Sequence, residues 1–271
     1  MTISISPAEF MQTAPTAAVS GNTPAAARYA AEFRRIARDY ANRRPRSLQK
    51  ALGPSELGVS CDRQVVGKLI GHPVTNNVVD PWASLVGTWC HSGADHMLQE
   101  YNTRHGVARF VTETRVVPHE EHPGHADVYD GFEQVVGDHK FLGDTSMAQV
   151  RSPQGPPRKY KAQLHLYGKG FQLLGLPVKA VRLIAWPRTG SSLDALYVWE
   201  SPQDRSADEL IDEVFVDTHR RKMIADLVQR GHLRFDQVPV VPSDDECYFC
   251  PFFRPESARD GGPGCPGNRA R

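Results

Sequence analysis

Apolar residues along this chain recur with two different periods, and the order of those periods predicts the architecture. Tyr29, Phe33, Ile36 and Tyr40 return at three- and four-residue steps, which predicts a basic amphipathic helix over Ala25 to Asn42. Gly53-Pro54-Ser55 opens a further element running through Cys61 and Val65 to Leu69. A third helix is predicted from about Ser84 to Arg104, with Leu85, His91, Leu98 and Tyr101 facing inward. The period then shortens. β-Branched content predicts a strand over Val107 to Val117. A polar turn spans His119 to Gly124, and strands over Gly124 to Tyr129 and Gln134 to Leu142 complete an antiparallel meander. Arg151 to Arg158, with Gly155 and three prolines, reads as a loop before a helix from about Lys159 to Leu174. Short strands are expected at Ala180 to Trp186 and Asp194 to Trp199. A long helix follows over Ala207 to Gln229, with Leu210, Val214, Ile224 and Leu227 on its apolar side. This order implies an α/β fold with a mixed central sheet flanked by helices, rather than a doubly wound parallel one.

The 271 residues suffice for one large domain with a substantial core. Residues 1–24, rich in Ala, Thr, Ser and Pro, are expected to form a loose arm. Residues 25–265 are expected to form the domain, including a helical N-terminal part with Cys61 and a cysteine-bearing tail from about 240; residues 266–271 are a terminal tail. The net charge of +1 advertises no nucleic-acid surface, so any DNA contact must come from local basic patches. No apolar run approaches the ~20 residues that cross a membrane, and residues 1–24 lack the charged-then-apolar pattern of an export signal. A cytoplasmic protein with no membrane partner is expected. Its five cysteines then read as metal ligands or free thiols rather than disulfides.

Two acidic segments carry the candidate chemistry. Asp127 lies on one predicted strand, and Asp138-His139-Lys140 on the next. Side chains alternate along a strand, so Asp138 and Lys140 point one way and His139 the other. Two carboxylates and an ammonium converging on one point suit a hard divalent cation and an attacking water. Alone, an Asp-x-Lys pair is usually a solvated ion pair. Its context is richer: Gly87-Thr88-Trp89-Cys90-His91 lies upstream, and downstream Gln163 and Tyr167 share a helical face that Lys159 extends by a turn. A second constellation is Cys247-Tyr248-Phe249-Cys250, with Cys265 beyond it and Cys61 far upstream. Four thiolates suit zinc or an iron–sulfur cluster, and spacing does not choose between them or exclude a buried core thiol at Cys61.

In this order the Gly-x-x-x-His, Gly-x-x-Asp, Asp-x-Lys and Gln-x-x-x-Tyr elements resemble the RecB-like branch of the PD-(D/E)XK nuclease superfamily, over roughly Leu52 to Cys265. The resemblance implies a restriction-endonuclease-like core, and magnesium or manganese held by His91, Asp127, Asp138 and the backbone carbonyl of His139. It also implies a catalytic Lys140, with Gln163 and Tyr167 positioning the water or the DNA backbone. Asp138 stands where many relatives carry Glu. The cysteine pattern is similar to that of the CRISPR-associated RecB-like exonucleases and the AddB nuclease domain. It implies a 4Fe–4S cluster on Cys61, Cys247, Cys250 and Cys265 that staples the chain's two ends; zinc is the alternative metal. The gap from Cys250 to Cys265 is longer than in many relatives. The implied activity is a metal-dependent DNA exonuclease at DNA ends, with single-stranded DNA as the expected substrate, in recombination, repair or end processing. Stand-alone bacteriophage members, in a host cytoplasm, and spacer-acquisition nucleases are the relatives it looks like, with recombination or spacer-integration proteins as partners. The rival reading is a non-catalytic DNA-binding module with a relic core, against which the intact Asp127, Asp138 and Lys140 argue.

Other residues receive plainer expectations. Arg151, Arg158, Lys159 and Lys161 are candidates for phosphate contact, and Arg34, Arg35, Arg38, Arg43, Arg44 and Arg46 form a second basic patch. His119, Glu120, Glu121 and His122, with His125 beyond, are expected to be a solvated turn rather than a second metal site. Tyr248, Phe249, Phe252 and Phe253 should pack around the thiolates rather than stack bases. Cys90 reads as a packed thiol, and His165 as turned away from Gln163.

Overall fold

A computed structural model describes residues 23–43, 51–76, 80–241 and 244–267. Most of the expected arm, Arg44 and Arg46, and residues 268–271 of the terminal tail lie outside the described residues. The chain divides into two compact units, Met1–Leu48 and Gln49–Arg271. In the first unit, helix α1 (Pro24–Asn42) starts where the Thr23 hydroxyl accepts from the Ala26 amide and Pro24 occupies the first turn. Its stripe of Tyr29, Phe33, Ile36 and Tyr40 is exposed.

The second unit opens with a single helical turn, α2 (Pro54–Leu57), then α3 (Asp62–Leu69) and α4 (Trp82–His105). α4 stops at Gly106, whose left-handed φ of 63° turns the chain into the sheet. Strands β1 (Phe110–Val116), β2 (Gly124–Asp130) and β3 (Val135–Leu142) form the expected antiparallel meander. Helices α5 (Asp144–Arg151) and α6 (Arg158–Leu173) then carry the chain across to β4 (Ala180–Pro187), which pairs parallel to β3. β5 (Tyr197–Pro202) closes the other edge antiparallel, giving the order β1-β2-β3-β4-β5. Long helix α7 (Arg205–Gln229) and short α8 (Asp244–Phe249) and α9 (Ser257–Asp260) complete it. The mixed sheet flanked by helices is thus the one the element order predicts. Among the described residues, no helix is long and apolar enough to cross a membrane.

α6 lies against one sheet face: Leu164, Tyr167 and Phe171 share a core with Val116, Ala126, Tyr129, Val136, Val181 and Leu183. Close approach is enforced at Gly124, where a Cβ would sit 2.8 Å from Pro54 and 2.9 Å from the Tyr167 ring. On β3 the alternate residues His139 and Phe141 face α4, where both rings meet His91.

Four expectations need correction. The Arg151–Arg158 loop begins only at Ser152, because Met147 and Val150 fold α5 onto the core. β5 is shifted to Tyr197–Pro202, since the Ser192 hydroxyl caps a 3-10 turn over Leu193–Ala195. Tyr101 is 38% exposed on α4, its ring packed edge-on to Phe110 at the sheet's rim. On α7, Leu227 is exposed while Arg221 is buried at 1% exposure.

Arg221 is buried because α3 meets it with a charge. Asp62 accepts from Arg221 Nε at 2.8 Å and from Arg220 at 2.6 and 2.9 Å. Arg221 also donates to the carbonyls of Leu57, Val59 and Ser60. Burial pushes the Asp62 carboxyl up, but the two guanidiniums together hold it below the usual carboxylate range. The pair therefore stabilises the fold above the unfolded carboxyl's pKa of about 3.9 and loses that contribution as pH falls through the lower folded value. Asp62→Asn, which strands a buried guanidinium, should cost about 3 kcal/mol at neutral pH. In urea unfolding, the gap to wild type should close in acid; a pH-independent gap would contradict this account.

Candidate active site

β3 runs through the middle of the sheet, with Val135 to His139 all buried. Its apolar run is interrupted by Asp138, only 1% exposed, and Lys140. A charge so placed must be partnered. The Lys140 ammonium lies against Asp138 Oδ2, and Gln163 Nε2 on α6 donates to Oδ1 at 2.9 Å. The same Gln163 nitrogen reaches the Tyr167 hydroxyl at 3.1 Å. Tyr167 itself is buried in the core, and Gln163 links its hydroxyl to Asp138. Lys159 lies over the Tyr160 ring at 5.6 Å, and Lys140 at 5.3 Å.

β2 and β3 pair from Asp130 to Val128, and Asp127 sits just past the last pair, Val128 with Gly137. Asp127 Oδ2 there accepts the His139 amide at 2.7 Å and stands 3.3 Å from His91 Nδ1 on α4. His91, Asp127, Asp138, His139 and Lys140 are thus brought together from a helix and two strands.

One further residue belongs to this neighbourhood and was missed. Ala126 and Tyr129, three apart, enter the same core, so β2 breaks its alternation around Asp127. β1 breaks opposite: between the pairs Thr112–Val128 and Thr114–Ala126, Glu113 adopts φ 48°, a left-handed conformation costly for a residue with a long side chain. Although Glu113 is exposed, partial desolvation pushes its carboxyl up, with the charges of Asp127 and Asp95 adding and His91 and His125 opposing. Within the sequence Phe-Val-Thr-Glu-Thr-Arg-Val nothing local marks it; only the register across to Asp127 does.

The electrostatics divide the cluster. Burial pushes Asp138 up to about 6, with Asp127 adding and Lys140 opposing. Asp127 is also pushed up by burial, yet His91, Lys140 and the His139 amide outweigh this and hold it low. Burial opposes the charge on Lys140, but the two carboxylates raise its pKa, so it stays an ammonium. His139 is driven down to about 4 by burial and is neutral. Trp186 Nε1 donates to its Nδ1 at 3.0 Å, which places the ring proton on Nε2. Two buried carboxylates, one of them unable to ionise fully near pH 6, with an imidazole beside them, form a donor set that suits magnesium or manganese.

Three of the basic residues near the proline-rich loop have partners within the fold. Arg158 pairs with Asp217 on α7 at 3.1 Å, Lys161 donates to the Gln154 carbonyl at 2.8 Å, and Arg151 bonds the Ala195 carbonyl. His165 is buried and held by Gln203 at 2.8 Å, away from Gln163 as expected.

The second constellation closes in space. Cys61, Cys247, Cys250 and Cys265 line one pocket together with Arg63, Val240, Val241, Phe252 and Phe253. Cys61 stands immediately before α3; the other three come from the tail. The tail is fastened by the Arg63 guanidinium, which donates to the Val238 and Asp236 carbonyls and reaches Cys265 Sγ at 3.4 Å. Phe252 lies so close to α3 that a Cβ on Gly67 would be 2.5 Å from its ring. Burial pushes the Cys250 thiol up to about 12, and its three sulfur neighbours add to this. Four thiols in an apolar pocket with a guanidinium at one sulfur fit a thiolate-bound cluster or ion. Phe252 and Phe253 shield the sulfurs as expected; Tyr248 and Phe249 do not, being 52% and 61% exposed. Cys90 is half-buried on α4.

No family model and no curated protein matches the chain. Among solved structures, an alkaline exonuclease (LHK-Exo) from Laribacter hongkongensis is similar over 68% of this chain and 93% of its own, at 12% identity and a TM-score of 0.46. The same enzyme in complex with dAMP covers the same shares at 13% identity and a TM-score of 0.45. A phage-related exonuclease from Haemophilus somnus 129PT is similar over 61% of this chain and 82% of its own, at 14% identity and a TM-score of 0.42.

Proposed function

We propose that this chain is a metal-dependent deoxyribonuclease of the RecB-like kind, hydrolysing phosphodiesters at DNA ends, with single strands as the preferred substrate. Magnesium or manganese would be held by Asp127, Asp138, His91 and the His139 carbonyl, and a 4Fe–4S cluster by the four cysteines. The observation that carries this reading is the meeting of His91, Asp127 and the Asp138–Lys140 pair where two strands part.

When bound, the cation would polarise the phosphodiester and lower the pKa of its water. The chain's own residues have separable tasks. Lys140, an ammonium beside two carboxylates, is suited to stabilising negative charge developing on phosphorus oxygens rather than to taking a proton. Gln163, steadied by Tyr167, fixes the orientation of Asp138. The His139 amide fixes Asp127, and Trp186 fixes the neutral His139 ring. The position of the thiol pocket between α3 and the tail supports a structural role.

The test is digestion of end-labelled single and double strands. Product should require added manganese or magnesium and stop with a chelator; product formed in the chelator overturns the proposal. Glu113 belongs to the same reading as an outer carboxylate that shapes the field around Asp127. Glu113→Gln removes like-charge repulsion, so its melting temperature should equal or exceed that of wild type. Metal affinity should nonetheless fall about 10–100-fold in a titration of activity against manganese. Unchanged affinity would remove Glu113 from the site.

A further inference from the structure

The turn between β1 and β2 carries a second, unrelated donor set. We infer that His119, Glu121 and His122 bind one divalent cation of the zinc class, at a site that shares no residue with the acidic centre or the thiol pocket. One ligand atom from each lies within 4.8 Å of the others. The expected turn is present, with Glu120 and Glu121 exposed and His122 buried, and its alignment has a local cause. The His122 amide bonds the His119 carbonyl at 2.9 Å, closing a tight turn that brings together residues no helical or strand spacing would align. His122 is buried at 4% exposure, and its Nδ1 lies 2.9 Å from the Leu52 carbonyl. That carbonyl can only accept, so Nδ1 carries the proton and Nε2 presents its lone pair. An imidazole whose other nitrogen is fixed by a backbone carbonyl is the arrangement metal-binding histidines use.

The surroundings agree. Burial pushes His122 down, which keeps it in the neutral form a metal requires. Glu121 is held ionised by Lys222 of α7 at 2.9 Å on Oε2, the oxygen that stands 4.0 Å from His119 Nδ1 and has a further lone pair for a cation. Phe215 of α7 walls the site, 5.0 Å from the His119 ring and 6.4 Å from that of His122. Two imidazoles and one carboxylate select zinc, nickel or copper over magnesium, and leave a fourth position for water. A bound ion would tie the turn that starts β2 to residue 52 and, through Glu121 and Lys222, to α7.

The experiment is zinc binding to the full chain in excess magnesium, which occupies oxygen-rich sites without competing for imidazoles. Wild type, His119→Ala and Glu121→Gln are prepared identically, and iron, sulfide and zinc are counted after desalting. His119 and Glu121 both reach solvent, so neither change threatens the fold. Wild type should retain one zinc more per chain than either variant, and zinc should raise its melting temperature but not theirs. Zinc affinity at this site should drop about 10–100-fold in each. Equal zinc content in all three proteins, or an equal thermal gain, overturns the inference. The readouts do not depend on nuclease activity, so failure here and failure of the proposed function are separate results.

Discussion

Asp138→Asn is expected to lower manganese-dependent digestion of labelled single strands by about 10³-fold. The amide keeps the shape of the side chain and can still accept from Gln163 Nε2, so the orientation imposed by α6 survives. What is lost is the charge that would hold the cation and the direct partner of Lys140. Asp127 continues to favour the Lys140 ammonium, so the variant should fold, with a modest fall in melting temperature. Alanine is a poorer choice because it would empty a buried site beside an unpaired ammonium. Equal product from wild type and variant would identify a contaminating nuclease and end the catalytic reading. Acid should act in the same direction as the substitution. Burial holds Asp138 at about 6, so cation binding below that pH must expel a proton, and activity should decline from near pH 6 rather than from the range of exposed carboxylates, about 4.

The second large effect is expected at Cys250. Wild-type protein purified without oxygen should be brown and contain iron and acid-labile sulfide. Cys250→Ala should be colourless, poorly soluble and markedly less stable, because structural metal sites contribute on the order of 10 kcal/mol to the folded state. The loss should concentrate where the pocket joins α3 to the tail: the Arg63 contacts, Phe252 against Gly67, and Thr75 and Asn76 bonded to the Pro251 carbonyl. Without a metal, Cys250 is a neutral thiol with its pKa pushed up to about 12, so cluster formation must remove that proton, and assembly should slow in acid. A brown, stable Cys250→Ala protein would refute the assignment, and a colourless wild type containing zinc would replace the cluster with an ion.

The parts of this arrangement legible in the sequence were those with a period. Alternation along β3 put Asp138 and Lys140 on one side, and the helical spacing of Gln163 and Tyr167 put both on one face; the structure keeps both pairings. The Cys-x-x-Cys element was equally plain, although only the fold brings Cys61 to it. What escaped depended on contacts distant in sequence. Arg221 is charged and yet interior because three carbonyls and Asp62 await it, none of them on its own helix. The helical spacing of Tyr167 does not show its burial, which comes from the close passage of Gly124 over its ring. Glu113 is one polar residue in a strand of alternating polarity until β2 places Asp127 opposite. The His119–His122 turn matches neither regular period, and it is an i to i+3 hydrogen bond that aligns it.

The thiol pocket also constrains when this protein can finish folding. The meander and α6 lie between Cys61 and the tail, and can associate as soon as they leave the ribosome. α3 cannot be sealed until Cys265 emerges, because Arg63 and Gly67 have their partners only there and in the preceding tail. During translation the nascent chain therefore holds a nearly complete sheet with an open flank. If the proposed cluster is assembled there, metal delivery rather than chain collapse is the step that commits it.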